Sequence, residues 1–547
     1  MIAPAFLLLA VYAEFGALQA PHGQAPPAGA NARPPLFEDL GAHSHPVTTA
    51  IPEAQRYFDQ GLRLLYAFNH DEAERAFREA ARLDASCAMA WWGVAAALGP
   101  NINLPIDPDR NTKALLAIAQ AEVRLGKASE REKHYVRAIR ARHSKDPLAL
   151  RDALDRDYAT AMRELKKRFP DDLDAATLYA EALMDLRPWR LWNADGTPAE
   201  GTLEIVAVLE DVLRREPGHP GANHYYIHTL EASPFPERAL PSADRLPALV
   251  PGAGHLVHMP AHIRMRTGDF QGAALANAEA ARVDEKYFAR FPEKGVYWLM
   301  YYNHNLHFQA GAAAMAGRSA DAEKVAAQLA TNVAPFLKDM PMGEFFMPMP
   351  LYVALRFQKW DKVLGVPEPD AAFPASRALR HFGRALAFSA KADAKSAAAE
   401  REAFAREQAL VPKHAALNLN PASAVLEMAE LTLDARLAAA RGERGKALQF
   451  WSQAVEAETR LVYDEPPIWY YPPRESLGGE LLRAGRFSEA EAVFRDDLRA
   501  NPRNGRSLFG LMNALQGQKR DGEAALVKKE FEKAWSGADV KLRVEDL

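Results

Sequence analysis

Seven of the sixteen histidines fall between His224 and His307. They are His224, His228, His255, His258, His262, His304 and His307. Imidazole nitrogen is a donor for zinc, copper and iron, and a general acid or base near neutral pH. His224/His228 and His258/His262 are HxxxH pairs. Residues four apart share a helix face, so one such pair can chelate a single ion. The second pair repeats the first at a distance of 34 residues. Glu231 follows His228 by one further turn and is a candidate ligand or general base. Seven ligands exceed one tetrahedral site. Two metals, or one metal plus acid–base histidines, are both open readings. Imidazoles must be neutral to bind, so affinity should fall on acidification. Met259 and Met265 lie nearby and favour copper, but residue types alone do not select among copper, zinc and iron. Tyr225, Tyr226, Tyr301 and Tyr302 are placed to position a substrate or tune the ions.

The elements that must hold these rings are helices in a repeat. Residues 54–85 place Tyr57, Leu64 and Phe77 at positions 4, 11 and 24, and Gly61, Ala73 and Ala80 at positions 8, 20 and 27. Small residues let two antiparallel helices approach, and large ones fill the space between them. Near the end, Leu477, Gly478, Leu481, Ala490, Phe494 and Pro502 fall at 7, 8, 11, 20, 24 and 32. This pattern resembles the tetratricopeptide repeat. The likeness covers about 50–100, 219–340 and 428–530, and stretches such as FNHDEAERAFREAARLDASCAMAWWG resemble exported bacterial repeat proteins. It implies an all-α solenoid of helical hairpins whose first helices line a concave groove. A peptide or partner protein is the usual occupant in that family. In this register His255 and His304 take position 2, His224, His258 and His307 position 5, and His228 and His262 position 9. Glu231 takes position 12. The histidine face therefore differs from the packing face at 4, 8 and 11.

Other residues invite plainer readings. His43 and His45 form a second chelation candidate, against a loop packed over the first repeat. His70, in a turn, reads as structural, as do the isolated His381 and His414. Cys87 is the only cysteine, which excludes an internal disulfide and CxxC chemistry. The aromatic loops 185–198 and 464–476 read as inter-repeat plugs or as lids. The run 345–352 reads as core. There is no GxSxG, GxxxxGK[ST] or HExxH, and no GxGxxG after a strand.

The organisation follows. Residues 1–20 read as a signal peptide with a 2–13 apolar core, and 21–36 as a disordered linker. Residues 37–185 form N-terminal repeats, 186–340 the histidine-rich repeats, 341–427 degenerate repeats and 428–547 the C-terminal repeats. Export to the periplasm or outside is expected, with no transmembrane span in the mature chain. A net charge of −4 gives no electrostatic footprint for nucleic acid. The functional expectation is a transition-metal site in the groove, with oxidoreductase or hydrolase chemistry as the enzymatic reading. The alternative is a scaffold that binds a peptide there without metal.

Overall fold

The structure is a computed structural model and describes residues 33–547 apart from residue 147. The signal peptide and most of the linker expected from the sequence lie outside the described residues. Two compact units make up the fold: the chain through Ile263 with Arg282–Phe291, and Arg264–Ala281 with Pro292–Leu547. Both are all-α runs of helical hairpins. Among the described residues the only strands are Ala416–Leu417 and Asn420–Pro421, paired as a short ribbon. No helix among them is long and apolar enough to cross a membrane.

The first unit opens with the hairpin α1 (Pro52–Tyr66) and α2 (His70–Leu83), followed by α3 (Ala88–Leu98) and α4 (Pro108–Glu122). Then come α5 (Glu130–Ala141), α6 (Arg151–Arg168), α7 (Leu173–Met184) and α8 (Thr202–Arg215). The histidines begin on α9 (Pro220–Leu230), and α10 (Leu240–Leu249) leads to α11 (Gly254–His258) and α12 (Pro260–Arg266). The repeat pattern explains the packing. A Cβ on Gly61 would stand 2.7 Å from the Phe77 ring, and one on Gly93 would be closer still, so Phe77 is wedged between two glycines. Only glycine at both sites lets three successive helices close on one ring.

The second unit repeats the device. Gly478 on Pro473–Arg483 and Gly510 on Gly505–Gly517 flank Phe494 of Phe487–Ala500, which is fully buried. A six-residue π-helical turn, Tyr297–Tyr302, leads into Asn303–Met315, the helix that carries His304 and His307. The loop 464–476 packs as a plug in this unit: Trp469 and Tyr470 lie against Tyr352, with ring centroids 5.8 and 4.7 Å apart. The run 345–352 is core, with Phe346 fully buried.

The hairpin turns share one backbone requirement. The turn takes a left-handed residue, which in later repeats is glycine at Gly268, Gly317, Gly442 and Gly485 and a side-chain-bearing residue at Gln358, Ala392 and Lys519. Between α1 and α2 it is Phe68, with φ 55°. A bulky side chain there costs about 1–2 kcal/mol of backbone strain. Its ring is spent on the histidines described next.

Candidate metal centre

Helix α9 is buried along its whole length, yet reads PGANHYYIHTL. A wholly buried helix must satisfy its polar side chains internally. Asn223 donates to the carbonyls of Pro217 and His219 at 2.9 and 2.8 Å. Thr229 donates to the Tyr225 carbonyl at 2.7 Å, and the Tyr226 hydroxyl donates to Glu210 at 2.6 Å. Nδ1 of His224 donates to the carbonyl oxygen of Tyr66 at 2.7 Å. Nδ1 of His228 donates to Oε1 of Glu231 at 2.8 Å. Nε2 of His228 is the exception: it is buried and has no hydrogen-bond partner.

Five histidines and Glu231 come together in the first unit. None of His224, His228, Glu231, His255, His258 and His262 exceeds 5% exposure. His255 and His258 come from α11 and His262 from α12. Pro260 lacks an N–H and interrupts the helix at Met259, but Met259 keeps helical dihedrals (φ −51°, ψ −35°). The four-residue spacing therefore still works, and Nε2 of His258 stands 2.8 Å from Nε2 of His262. Nε2 of His255 stands 3.1 Å from Nε2 of His224. Nδ1 of His262 lies 2.5 Å from Oε2 of Glu231. One donor atom from each of His224, His228 and His255 falls within 4.8 Å of the others.

These bonds fix which nitrogens carry lone pairs. A carbonyl or carboxylate oxygen only accepts, so Nδ1 of His224 and of His228 holds the hydrogen and Nε2 is left as a donor to metal. An imidazole whose Nδ1–H is held by a carboxylate or carbonyl is the usual outer arrangement of a metal-bound histidine. Burial, then the neighbouring His228, holds His224 well below the ordinary imidazole range. Burial and His224 do the same to His255. Burial lowers His228 also, against the pull of Glu231. Burial alone would raise the Glu231 carboxyl, but His262 and His228 hold it below the usual carboxylate range. The rings of His224, His228 and His255 are therefore neutral and the carboxylate is charged near pH 7.

Aromatic rings close the cluster. Phe68 stacks within 5.4 Å of His255 and meets His224 edge-on at 4.6 Å. Trp189, half-buried and itself left-handed at φ 60°, stands edge-on to His228 at 5.6 Å. Trp192 pins that loop to α9 by donating to the Thr229 carbonyl at 2.7 Å. Tyr225 is buried against Tyr66 and Phe68 rather than presented to a ligand.

His304 and His307 belong to the second unit. His307 is buried edge-on to Phe345 and Phe346, and burial alone lowers its pKa to about 3. Tyr302 accepts from Gln328 at 3.1 Å.

A second cluster in the first unit escaped the sequence reading except for two members. Asp174 on α7 sits among Nε2 of His43 at 2.9 Å, Nδ1 of His45 at 2.8 Å, Nε2 of His219 at 3.3 Å and the Tyr66 hydroxyl at 2.6 Å. Burial opposes its ionisation, yet His219, His43 and His45 hold it well below the usual range. Donor atoms of His43, Asp174 and His219 also lie within 4.8 Å, as do those of His45, Asp172 and Asp174. Nδ1 of His219 accepts the N–H of Ala222 and so caps α9. Tyr66 joins the two clusters, with its hydroxyl on Asp174 and its carbonyl on His224. Asp172, Asp174 and His219 carry no repeat signature. Only an N-cap pattern before α7 and α9 could have marked two of them.

Two of the histidines expected to be structural, His70 and His381, are so placed. His70 bonds the Ala97 carbonyl at 2.9 Å, and burial drives its pKa to about 3. His381 bonds Glu400 at 2.6 Å. Burial raises the Cys87 thiol to about 11, which leaves it an inert core group.

The chain is an all-α protein of helical hairpins with buried histidine, aspartate and glutamate clusters able to hold a metal ion. No family model matches it, and no curated protein matches it. Solved structures are similar only in outline. The Cut9–Hcn1 hetero-tetramer of the APC/C shares 12% identity, with a TM-score of 0.30 over 99% of this chain and 81% of that chain. Yeast Tom70 shares 10%, with a TM-score of 0.29 over 88% and 90%. The human IFIT1 dimer shares 12%, with a TM-score of 0.33 over 78% and 86%. Likeness at that level carries no inference about ligands.

Proposed function

We propose that this protein is a transition-metal-binding helical-repeat protein whose centre is built on His224, His228 and His255. The observation that carries the reading is Nε2 of His228. It is a buried lone pair with its Nδ1–H locked on Glu231 and no partner of its own. An unmade hydrogen bond of that kind costs about 1–3 kcal/mol, so its persistence needs a reason. Coordination supplies one. The 3.1 Å between Nε2 of His224 and Nε2 of His255 is close to the edge of a tetrahedral nitrogen site, about 3.3 Å for metal–nitrogen bonds near 2.0–2.1 Å.

The donor set is imidazole, which suits zinc, copper or iron. Glu231 acts from behind the rings, fixing tautomers, rather than as a ligand of this triad. The burial of all three rings supports an ion over a peptide as occupant, because an ion is small enough to enter a packed interior. Oxidoreductase or hydrolase chemistry would need a coordination position left for substrate. The apolar run at 2–13 supports an exported protein, where metal supply is extracytoplasmic.

Elemental analysis of tag-free protein, stripped and refed with zinc, copper and iron in turn, tests the centre. At least one tightly held equivalent is expected in the wild type, with a loss of tenfold or more in affinity in His228→Ala. No stoichiometric metal in folded wild type would sink the reading.

A further inference from the structure

The five histidines around Glu231 fall into two sets, and the geometry points to two ions rather than one. We propose that His258 and His262 hold a second transition-metal ion beside the His224/His228/His255 site, with Glu231 tying the two together. This rests on the metal reading above and goes beyond it in number, position and coupling.

Three observations carry it. First, there are two separate short N···N contacts, His224–His255 at 3.1 Å and His258–His262 at 2.8 Å. Each joins Nε2 to Nε2, the atoms a metal would take. An octahedral edge for 2.0–2.1 Å bonds is about 2.9 Å and a tetrahedral edge about 3.3 Å, so both contacts are metal-sized. Second, each contact contains one ring whose Nδ1 meets an oxygen: His224 donates to the Tyr66 carbonyl, and His262 lies in ion-pair contact with Glu231. In both rings Nε2 is the nitrogen turned to the partner histidine. Third, Glu231 divides its two oxygens between the sets, Oε1 to His228 and Oε2 to His262. One carboxylate thus touches a ligand ring of each set.

The sets adjoin one another, the cross-set rings standing no farther apart than His228 from His255 at 6.0 Å. Ring centroids of His228 and His262 are 5.5 Å apart, and those of His255 and His258 are 5.7 Å apart and nearly parallel. Ions held by the two sets would feel one another, both electrostatically and magnetically. The ligand class such an arrangement suits is a small oxygen donor, water or an oxyanion, that can touch both ions.

The test uses the full chain, stripped of metal and titrated with copper(II), followed by elemental analysis and electron paramagnetic resonance. The wild type should take up two equivalents. Its spectrum should show coupled copper, with loss of isolated-copper intensity and a half-field transition. His258→Gln with His262→Gln should bind one equivalent with an isolated-copper spectrum. His224→Gln with His255→Gln should also lose one equivalent. Circular dichroism and the thermal midpoint check folding of each pair variant. If the His258/His262 pair cannot fold, the single His262→Gln must by itself lower the second equivalent's affinity at least tenfold. A single equivalent in the wild type, or two equivalents kept in the His258/His262 variant, overturns this proposal but leaves the single-ion centre standing. Two magnetically isolated coppers overturn the coupling. No bound metal at all overturns both readings.

Discussion

Glu231→Gln removes one charge and changes almost no volume, which makes it a sharp test of what this side chain does. The carboxylate accepts from Nδ1–H of His228 at Oε1, and its Oε2 lies in ion-pair contact with Nδ1 of His262 at 2.5 Å. An amide has only one oxygen to offer, and its NH₂ donates. One of the two rings must then turn to the other tautomer, with Nδ1 accepting and Nε2 carrying the hydrogen. That ring no longer has a lone pair aimed at the metal. Outer-shell changes of this kind typically cost 10–100-fold in metal affinity, or about 1.4–2.7 kcal/mol. The metal-free fold should suffer less. One charge-assisted hydrogen bond of about 1.5–3 kcal/mol, to His228, and one ion-pair contact, to His262, are weakened. Relief from burying a carboxylate offsets much of that. Competition against a chromophoric chelator gives the affinity, and urea unfolding in excess chelator gives the stability of the metal-free protein. The reasoning is refuted if affinity stays within threefold of the wild type. It is equally refuted if stability falls by more than the metal-binding free energy does, because Glu231 would then be a structural buried charge.

Three further outcomes follow from neighbouring groups. Copper(II) should quench part of the tryptophan emission reversibly, and Trp189→Phe should abolish that part, because Trp189 lies edge-on to His228; unchanged quenching would remove Trp189 from the centre. Phe68→Gly should relieve about 1 kcal/mol of left-handed strain but forfeit a buried ring worth about 3–5 kcal/mol, so chemical denaturation should show net destabilisation of about 2–4 kcal/mol; a more stable variant would contradict the packing argument. Acid should destabilise the metal-free protein. Burial holds His70, His143 and His307 near 3 in the fold, against about 6.5 unfolded, so below pH 6.5 the unfolded chain binds more protons and stability falls with pH. Each such group contributes about 1.4 kcal/mol per pH unit in that window. A thermal midpoint in chelator that is flat or rising from pH 7 to 5 would refute it.

The fold was legible because its signal is local and periodic. Gly61 and Phe77, or Gly478 and Phe494, state a helical hairpin through size alone, and both pairs pack as that pattern requires. The same register placed His224 and His228 on one face of α9, and His258 and His262 four apart across a break at Pro260. Other features are set by tertiary partners far away in sequence, where periodicity has no reach. Glu231 could be placed on the right face but not given its role, which depends on where the Nδ1 atoms of two rings point. Asp174 was invisible because its partners are His43, His45, His219 and a tyrosine from α1. Phe68 sits at a turn position where the repeat asks only for a left-handed residue, so its sequence context reads as a turn and nothing more.

Phe68 and His228 together argue that the centre is built to be completed. In a solenoid the least costly residue at the left-handed turn is glycine, and the least costly side chain inside α9 is apolar. At Phe68 and His228 the chain uses neither. It accepts about 1–2 kcal/mol of backbone strain at Phe68 and about 1–3 kcal/mol for the unpartnered Nε2 of His228. Burial also keeps His224 and His255 neutral inside the protein, where each would rather be solvated. Two of these departures meet at one place, since the Phe68 ring lies against His224, His228 and His255. Ordinary repeat packing has no use for such a concentration of local costs. A transition ion bound at nanomolar affinity would return about 12 kcal/mol to the same few residues, several times what they give up, and the metal-free protein would then be the strained form and the metal-bound protein the relaxed one.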